Sequence, residues 1–252
     1  MPIVTLRLFR SDAGNGDFTE YRVEAEEGMV LLDVIHRLQA TQVPDLAVRW
    51  NCKAGKCGSC SAEINGWPRL MCMTQMSLFP PGEPITVAPI PTFPMIRDLV
   101  SDVSFNYEVA KTIPAFRPRP PDSDGVYRMM QADVERIQEF HKCIECFLCQ
   151  NVCHVIRDHE ANKRYFAGPR FFVRIAALEM HPLDTHSRTE MLRAKAGLGY
   201  CNITKCCTEV CPEQIRITDN AIIPLKERVM DDCYDPLFRL FRKFTRRQED
   251  TA

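Results

Sequence analysis

Eleven of the thirteen cysteines in this 252-residue chain fall into patterns that suit metal ligation. In "NCKAGKCGSC", Cys52, Cys57 and Cys60 stand in a C-x4-C-x2-C spacing, and "MCMT" adds Cys72. Three thiolates from one tight loop and a fourth from farther along form the plant-type [2Fe–2S] arrangement. The intervening Gly55 and Gly58 permit the unusual φ values such a loop needs and let backbone N–H groups approach the bridging sulfides. Lys53 and Lys56 read either as charges offsetting an anionic cluster or as solvated loop lysines. A zinc knuckle would instead favour paired C-x2-C units.

Two further runs share one frame. "CIECFLCQNVC" places Cys143, Cys146, Cys149 and Cys153 as C-x2-C-x2-C-x3-C. The same frame begun at Cys201 in "CNITKCCTEVCP" meets Cys207 and Cys211, but finds Thr204 in its second slot. In two-cluster bacterial ferredoxins each run gives three ligands to one cluster and its fourth cysteine to the other. That exchange predicts a [4Fe–4S] site from Cys143, Cys146, Cys149 and Cys211. It leaves Cys153, Cys201 and Cys207 as a site of three thiolates, with Thr204 where a fourth ligand would stand. An iron without a strong ligand is easily lost, so a [3Fe–4S] cluster is expected, at the oxidising end of the series. Cys206, one residue out of frame, is the competing ligand that would capture a fourth iron; Thr204 or water would do so more weakly. Cys206 and Cys233 otherwise read as ordinary thiols.

The elements around these loops divide the chain in two. Residues 2–9 alternate like a strand, "FTEYRVEA" is a partner strand after the turn signal "AGNG", and Asn65-Gly66 marks a hairpin. "PITVAPI" offers a last strand. "VLLDVIHRL" puts Val30, Leu31, Val34, Ile35 and Leu38 on one helical face. Strands around one helix with a cysteine loop after it predict a β-grasp arrangement. Proline-rich stretches at 79–94 and 114–121 cannot be helix interiors. Beyond them, residues 132–143, 168–180, 187–197 and 218–230 have helical spacing, with Pro169 inside one start and Thr218 or Asp219 as a cap for another. The expected fold is α+β: an N-terminal β-grasp plant-type [2Fe–2S] ferredoxin domain at 1–100 and a proline-containing linker at 101–130. An all-α, bacterial-ferredoxin-like dicluster domain at 131–235 and a basic amphipathic tail at 236–252 complete it. The tail sets Leu237, Phe238, Phe241 and Phe244 among five basic residues, as a membrane-surface or partner-docking segment, or as a helix packed on its own domain.

Bulk properties narrow the function classes. A 45% hydrophobic and 26% charged composition is that of a soluble globular protein, and a net charge of −1 argues against bulk nucleic-acid binding. No run of about 18 apolar residues predicts a membrane span. The N-terminus lacks the pattern of a secretory signal or transit peptide, so the sequence is expected to start at a folded domain. An odd cysteine count in a chain of this length argues against a disulfide scaffold.

The order of motifs resembles, over essentially the whole chain, the iron–sulfur subunit of the succinate dehydrogenase/fumarate reductase (respiratory complex II) family. "CKAGKCGSCSAEINGWPRLMC" is similar to that family's first-cluster loop and "PTFPMIRDLVSD" to its joint. "CIECFLCQNVC", "YFAGPRFFVRIA" and "CNITKCCTEVCP" follow in matching order. The resemblance implies a flavoprotein partner with covalent FAD that oxidises succinate, or reduces fumarate. It also implies an integral membrane anchor handling quinone, and a peripheral place on the cytoplasmic face of a bacterial plasma membrane. This chain would pass single electrons between flavin and quinone through its three clusters and would contribute no catalytic residue of its own. Ubiquinone-reducing members usually carry Pro and then Trp after the first run, and His after the first cysteine of the last run. Here His154, Asp158 and Asn202 hold those positions, so the quinone-side contacts differ. Menaquinone is the expected quinone, with fumarate reduction or an extra redox group in the anchor as alternatives. His154 and His159 read as proton-handling groups or as ordinary surface histidines. Two other functions remain open: service to another flavin-linked oxidase, such as a glycolate or glycerol-3-phosphate enzyme, and a structural zinc protein.

Overall fold

A computed structural model of the chain describes residues 2–12 and 15–236. Strands β1 (Ile3–Asp12) and β2 (Asn15–Glu24) form an antiparallel hairpin in unbroken register, from Ile3 opposite Glu24 to Asp12 opposite Asn15. Part of the turn "AGNG", at residues 13–14, lies outside the described residues. Alternation along β1 sends Leu6 and Leu8 into the core. The other edge of β1 takes β5 (Ile85–Ala88) in parallel, which carries β3 (Ser61–Ile64) and then β4 (Trp67–Leu70). Asn65 and Gly66 join β3 to β4 with φ values of 49° and 75°, the two-residue turn with both central residues left-handed. Helix α1 (Leu31–Thr41) buries Leu31, Leu32, Val34, Ile35 and Leu38. Each contributes roughly 1.5–3 kcal/mol of gross burial energy. Val30 stands just before the helix, and its N–H donates to the Asp33 carboxylate. A parallel β1–β5 pair with one helix packed on the sheet is the β-grasp arrangement.

Short strands β6 (Met95–Arg97) and β7 (Val100–Ser101) close this half. Between them Asp98, at φ 46° and 1% exposed, accepts hydrogen bonds from Arg10 Nε and from the N–H groups of Ser11 and Ala47. The stretch read from sequence as linker contains a helix, α2 (Ser104–Lys111), which packs near α6.

The second half consists of helices: α3 (Gln131–Gln138), α4 (Leu148–Asn151), α5 (His154–Arg157), α6 (Pro169–Glu179), α7 (Thr189–Ala194), α8 (Cys206–Glu209) and α9 (Ile223–Cys233). Pro169 opens α6, as predicted. The segment expected as one helix from residue 218 differs. Residues Ile217–Ile222 are π-helical and run into α9, because Pro224 has no N–H for the tighter ladder. Thr218 caps nothing; it is buried inside the π-turn, where its N–H donates to Thr208 Oγ1. Arg188, fully buried, ties the second proline segment, at 114–121, to this half. It donates to the carbonyls of Pro114, Ala115 and His186 and pairs with Asp184 at 2.8 Å. Among the described residues no helix is long and apolar enough to cross a membrane. The predicted tail face of Leu237, Phe238, Phe241 and Phe244 lies outside the described residues.

Candidate metal centres

The first loop gathers all four of its predicted cysteines. Backbone N–H groups of Ala54 and Lys56 donate to Cys52 Sγ at 3.4 and 3.2 Å, Cys52 N–H to Cys57 Sγ at 3.5 Å, and Cys72 N–H to Cys60 Sγ at 3.5 Å. Burial pushes the Cys60 thiol up to about 12. Burial would raise Cys57 too, but hydrogen bonds from Ser59 and Cys52 outweigh it and hold that thiol at about 7. N–H groups aimed at sulfur stabilise thiolate, which is the form that binds iron. Cys52 is exposed and Cys60 and Cys72 are buried, so the loop presents one edge to solvent.

Cys143, Cys146, Cys149 and Cys211 line a common cavity with Ile144, Phe147, Arg170, Val173 and Ile217. Cys211 arrives from the second run, as the ligand exchange predicts. Burial pushes the Cys146 thiol up to about 12 and Cys149 well above its ordinary value. Four largely buried thiols are stable protonated or bound to a cation, which the iron of a cluster would supply.

Cys153, Cys201 and Cys207 line a second cavity of this half. Burial pushes Cys153 to about 12 and Cys207 to about 11. Thr204 lines the same cavity, and its hydroxyl lies 3.4 Å from Cys206 Sγ. Cys206 also faces the cavity, so the out-of-frame thiol is within the site. His154 and Asn202 border the cavity, whereas Asp158 is exposed at the end of α5 and does not. His159 is exposed as well.

The backbone repeats across the two runs. Glu145 and Phe147 flank Cys146 at φ 55° and 61°; Ile203 and Lys205 flank Thr204 at φ 64° each. A left-handed β-branched residue such as Ile203 is a strained choice, tolerated where the surroundings dictate the turn. Short helices α4 and α8 follow in register, so Thr204 holds the place of Cys146 and Cys206 that of Leu148. Thiols around cavities, with backbone donors aimed at their sulfurs, fit clusters. Among the described residues no group of three His, Cys, Asp or Glu could hold a single metal ion.

The first loop and the second site abut. Gly58, at φ 67°, has no room for a side chain: a Cβ there would lie 2.6 Å from Cys146 Cα. Ser61 Oγ donates to the Cys146 carbonyl at 2.9 Å, and Lys56 pairs with Glu213 at 3.0 Å. Asn151 Nδ2 donates to Glu63, and Asn151 Oδ1 accepts from Thr92. Phe147 stacks edge-on against Phe93 and Tyr107.

The sequence reading missed Arg170 and Glu145. Arg170, 7% exposed, lines the second site and pairs through Nη2 with Glu145 Oε1. A cation in the first turn of a helix opposes the helix dipole, and that local conflict was the available signal.

Comparison with known proteins agrees with this arrangement. Residues 5–108 match the family described as a 2Fe-2S iron-sulfur cluster binding domain, and residues 139–215 match a 4Fe-4S dicluster domain. A fumarate reductase iron-sulfur subunit from Mycobacterium tuberculosis is 32% identical over 79% of this chain and 80% of its own length. A succinate dehydrogenase iron-sulfur subunit from Bacillus subtilis is 31% identical over 68% of each. Among solved structures, a chain of the Mycobacterium smegmatis Sdh1 complex in the apo form superposes with a TM-score of 0.90 at 68% identity. That match covers 93% of this chain and 98% of the other.

Proposed function

The chain belongs to the family of succinate dehydrogenase and fumarate reductase iron–sulfur subunits, and on that premise we propose how its residues carry out electron transfer in a complex II enzyme. Its partners are a flavoprotein with covalent FAD and an integral membrane anchor, and the physiological direction is succinate oxidation with electrons delivered to menaquinone. The clusters, when bound, exchange one electron at a time and so couple a two-electron flavin to quinone. Cys52, Cys57, Cys60 and Cys72 hold the [2Fe–2S] group. Cys143, Cys146, Cys149 and Cys211 hold the [4Fe–4S] group, and Cys153, Cys201 and Cys207 a [3Fe–4S] group. The protein acts at a peripheral position on the membrane, held by the anchor.

The chain's own residues provide placement and tuning. Gly58 and Ser61 hold the first loop against Cys146, so the first two sites are neighbours without an intervening side chain. Cys149 lies within α4 and Cys153 follows two residues after its end, so one short helix ties the second site to the third. His154 and Asn202, which border the third site, and the exposed Asp158 one turn beyond His154 are its quinone-side residues.

The observation that carries this reading is the crossing of ligands, with Cys211 in the cavity of the first run and Cys153 in that of the second. Purification with the partner subunits tests it. Succinate should bleach the visible iron–sulfur absorption of the complex. Bleaching by glycolate or glycerol 3-phosphate with no response to succinate would overturn the substrate assignment.

A further inference from the structure

Arg170 is short of partners for a buried cation. It occupies the second position of α6 and is 7% exposed. Its Nη2 donates to Glu145 Oε1, but Nε and Nη1 are buried without any hydrogen-bond partner. Glu145 is itself 42% exposed, so its carboxylate is partly screened and answers only one edge of the guanidinium. The helix end adds to the mismatch, because the first turn of α6 carries positive partial charge that favours anions over cations. Such a group persists when an anion completes it.

Arg170 lines the cavity formed by Cys143, Cys146, Cys149 and Cys211. Four thiolates around a four-iron core leave net negative charge there, and hydrogen bonds to cluster sulfurs and local charge set the potential. We propose that Arg170 is a positioning residue for the second cluster: its Nε–H and Nη1–H complete the sulfur environment, and its charge favours the more negative, reduced state. Glu145 holds the guanidinium in place and offsets part of its field. The inference rests on the assignment of those four cysteines to the [4Fe–4S] cluster.

The test is a redox titration of the holo complex, partner subunits included, followed by low-temperature EPR. Arg170→Met removes the charge but retains length. At a fixed potential its ratio of reduced to oxidised second cluster should fall at least tenfold, which is about 59 mV for a one-electron couple. Arg170→Lys, which keeps a charge without the planar fork, should shift by less. Glu145→Gln should move the ratio the opposite way, and the first and third clusters should titrate as in the wild type. A second cluster that is present in Arg170→Met and titrates like the wild type overturns the proposal. If Arg170→Met does not retain the cluster, Glu145→Gln decides, and an unchanged or lowered ratio there overturns it. Failure of the ligand assignment reads differently: the wild-type complex itself would then show no four-iron signal on reduction.

Discussion

Ile203 and Lys205 each hold a φ of 64° around Thr204, the same turn that Glu145 and Phe147 make around Cys146. The backbone turn is thus kept while a hydroxyl stands where the first run has a thiol, and a hydroxyl binds iron far more weakly than a thiolate. Thr204→Cys should therefore restore a full set of thiols without rebuilding the loop. The expected outcome is loss of a three-iron EPR signal in the oxidised complex and the appearance of an additional reducible four-iron cluster. Persistence of the three-iron signal in that variant would mean that the residue's side chain does not face the cluster. The empty slot was readable from spacing alone, because a cysteine frame is a local property of sequence. The position of Cys206 inside the same cavity was not, since it depends on how α8 turns relative to Cys153. Arg170 left only a faint signal, a cation in the first turn of a helix, and reads as a solvated charge until the packing of α6 is known.

Among the elements, the contact between the first cysteine loop and the start of the first run sets the distance between two redox sites. Gly58→Ala adds a methyl 2.6 Å from Cys146 Cα and 2.8 Å from its nitrogen, at a φ of 67°. Backbone strain and overpacking together should cost about 2–4 kcal/mol. Reduction of the second cluster by the first should slow, which thermal unfolding and rapid-freeze EPR would measure separately. A melting curve unchanged from the wild type would show that the halves separate at no cost. Arg188 is the corresponding anchor for the proline segment at 114–121. Arg188→Met leaves Asp184 buried, 1% exposed, without its cation, and should destabilise by about 3–5 kcal/mol in denaturant unfolding. An effect under 1 kcal/mol would contradict the anchoring role. Helix positions were legible from periodicity, as α1, α6 and α7 attest. The π-turn before Pro224 and helix α2 were not, because proline chemistry and docking on α6 override the local pattern there.

For the whole molecule, metal content and folding are one problem. The helical half buries thiols whose pKa values are pushed to about 11 or 12, among short helices of four residues that could not persist alone. Anaerobic removal of iron by a chelator should raise hydrogen exchange across residues 143–157 and 201–212, while the β1–β2 hairpin and α1 stay protected by their own apolar core. Equal loss of protection in both halves would contradict that division. The measurement that bears most directly on the account is low-temperature EPR of the complex purified anaerobically with its partners, first oxidised, then reduced with succinate and with dithionite. The account predicts a three-iron signal in the oxidised state and two further clusters on reduction. A silent oxidised sample that gains a second reducible four-iron cluster would contradict it, and would identify Cys206 as the ligand that fills the place left by Thr204.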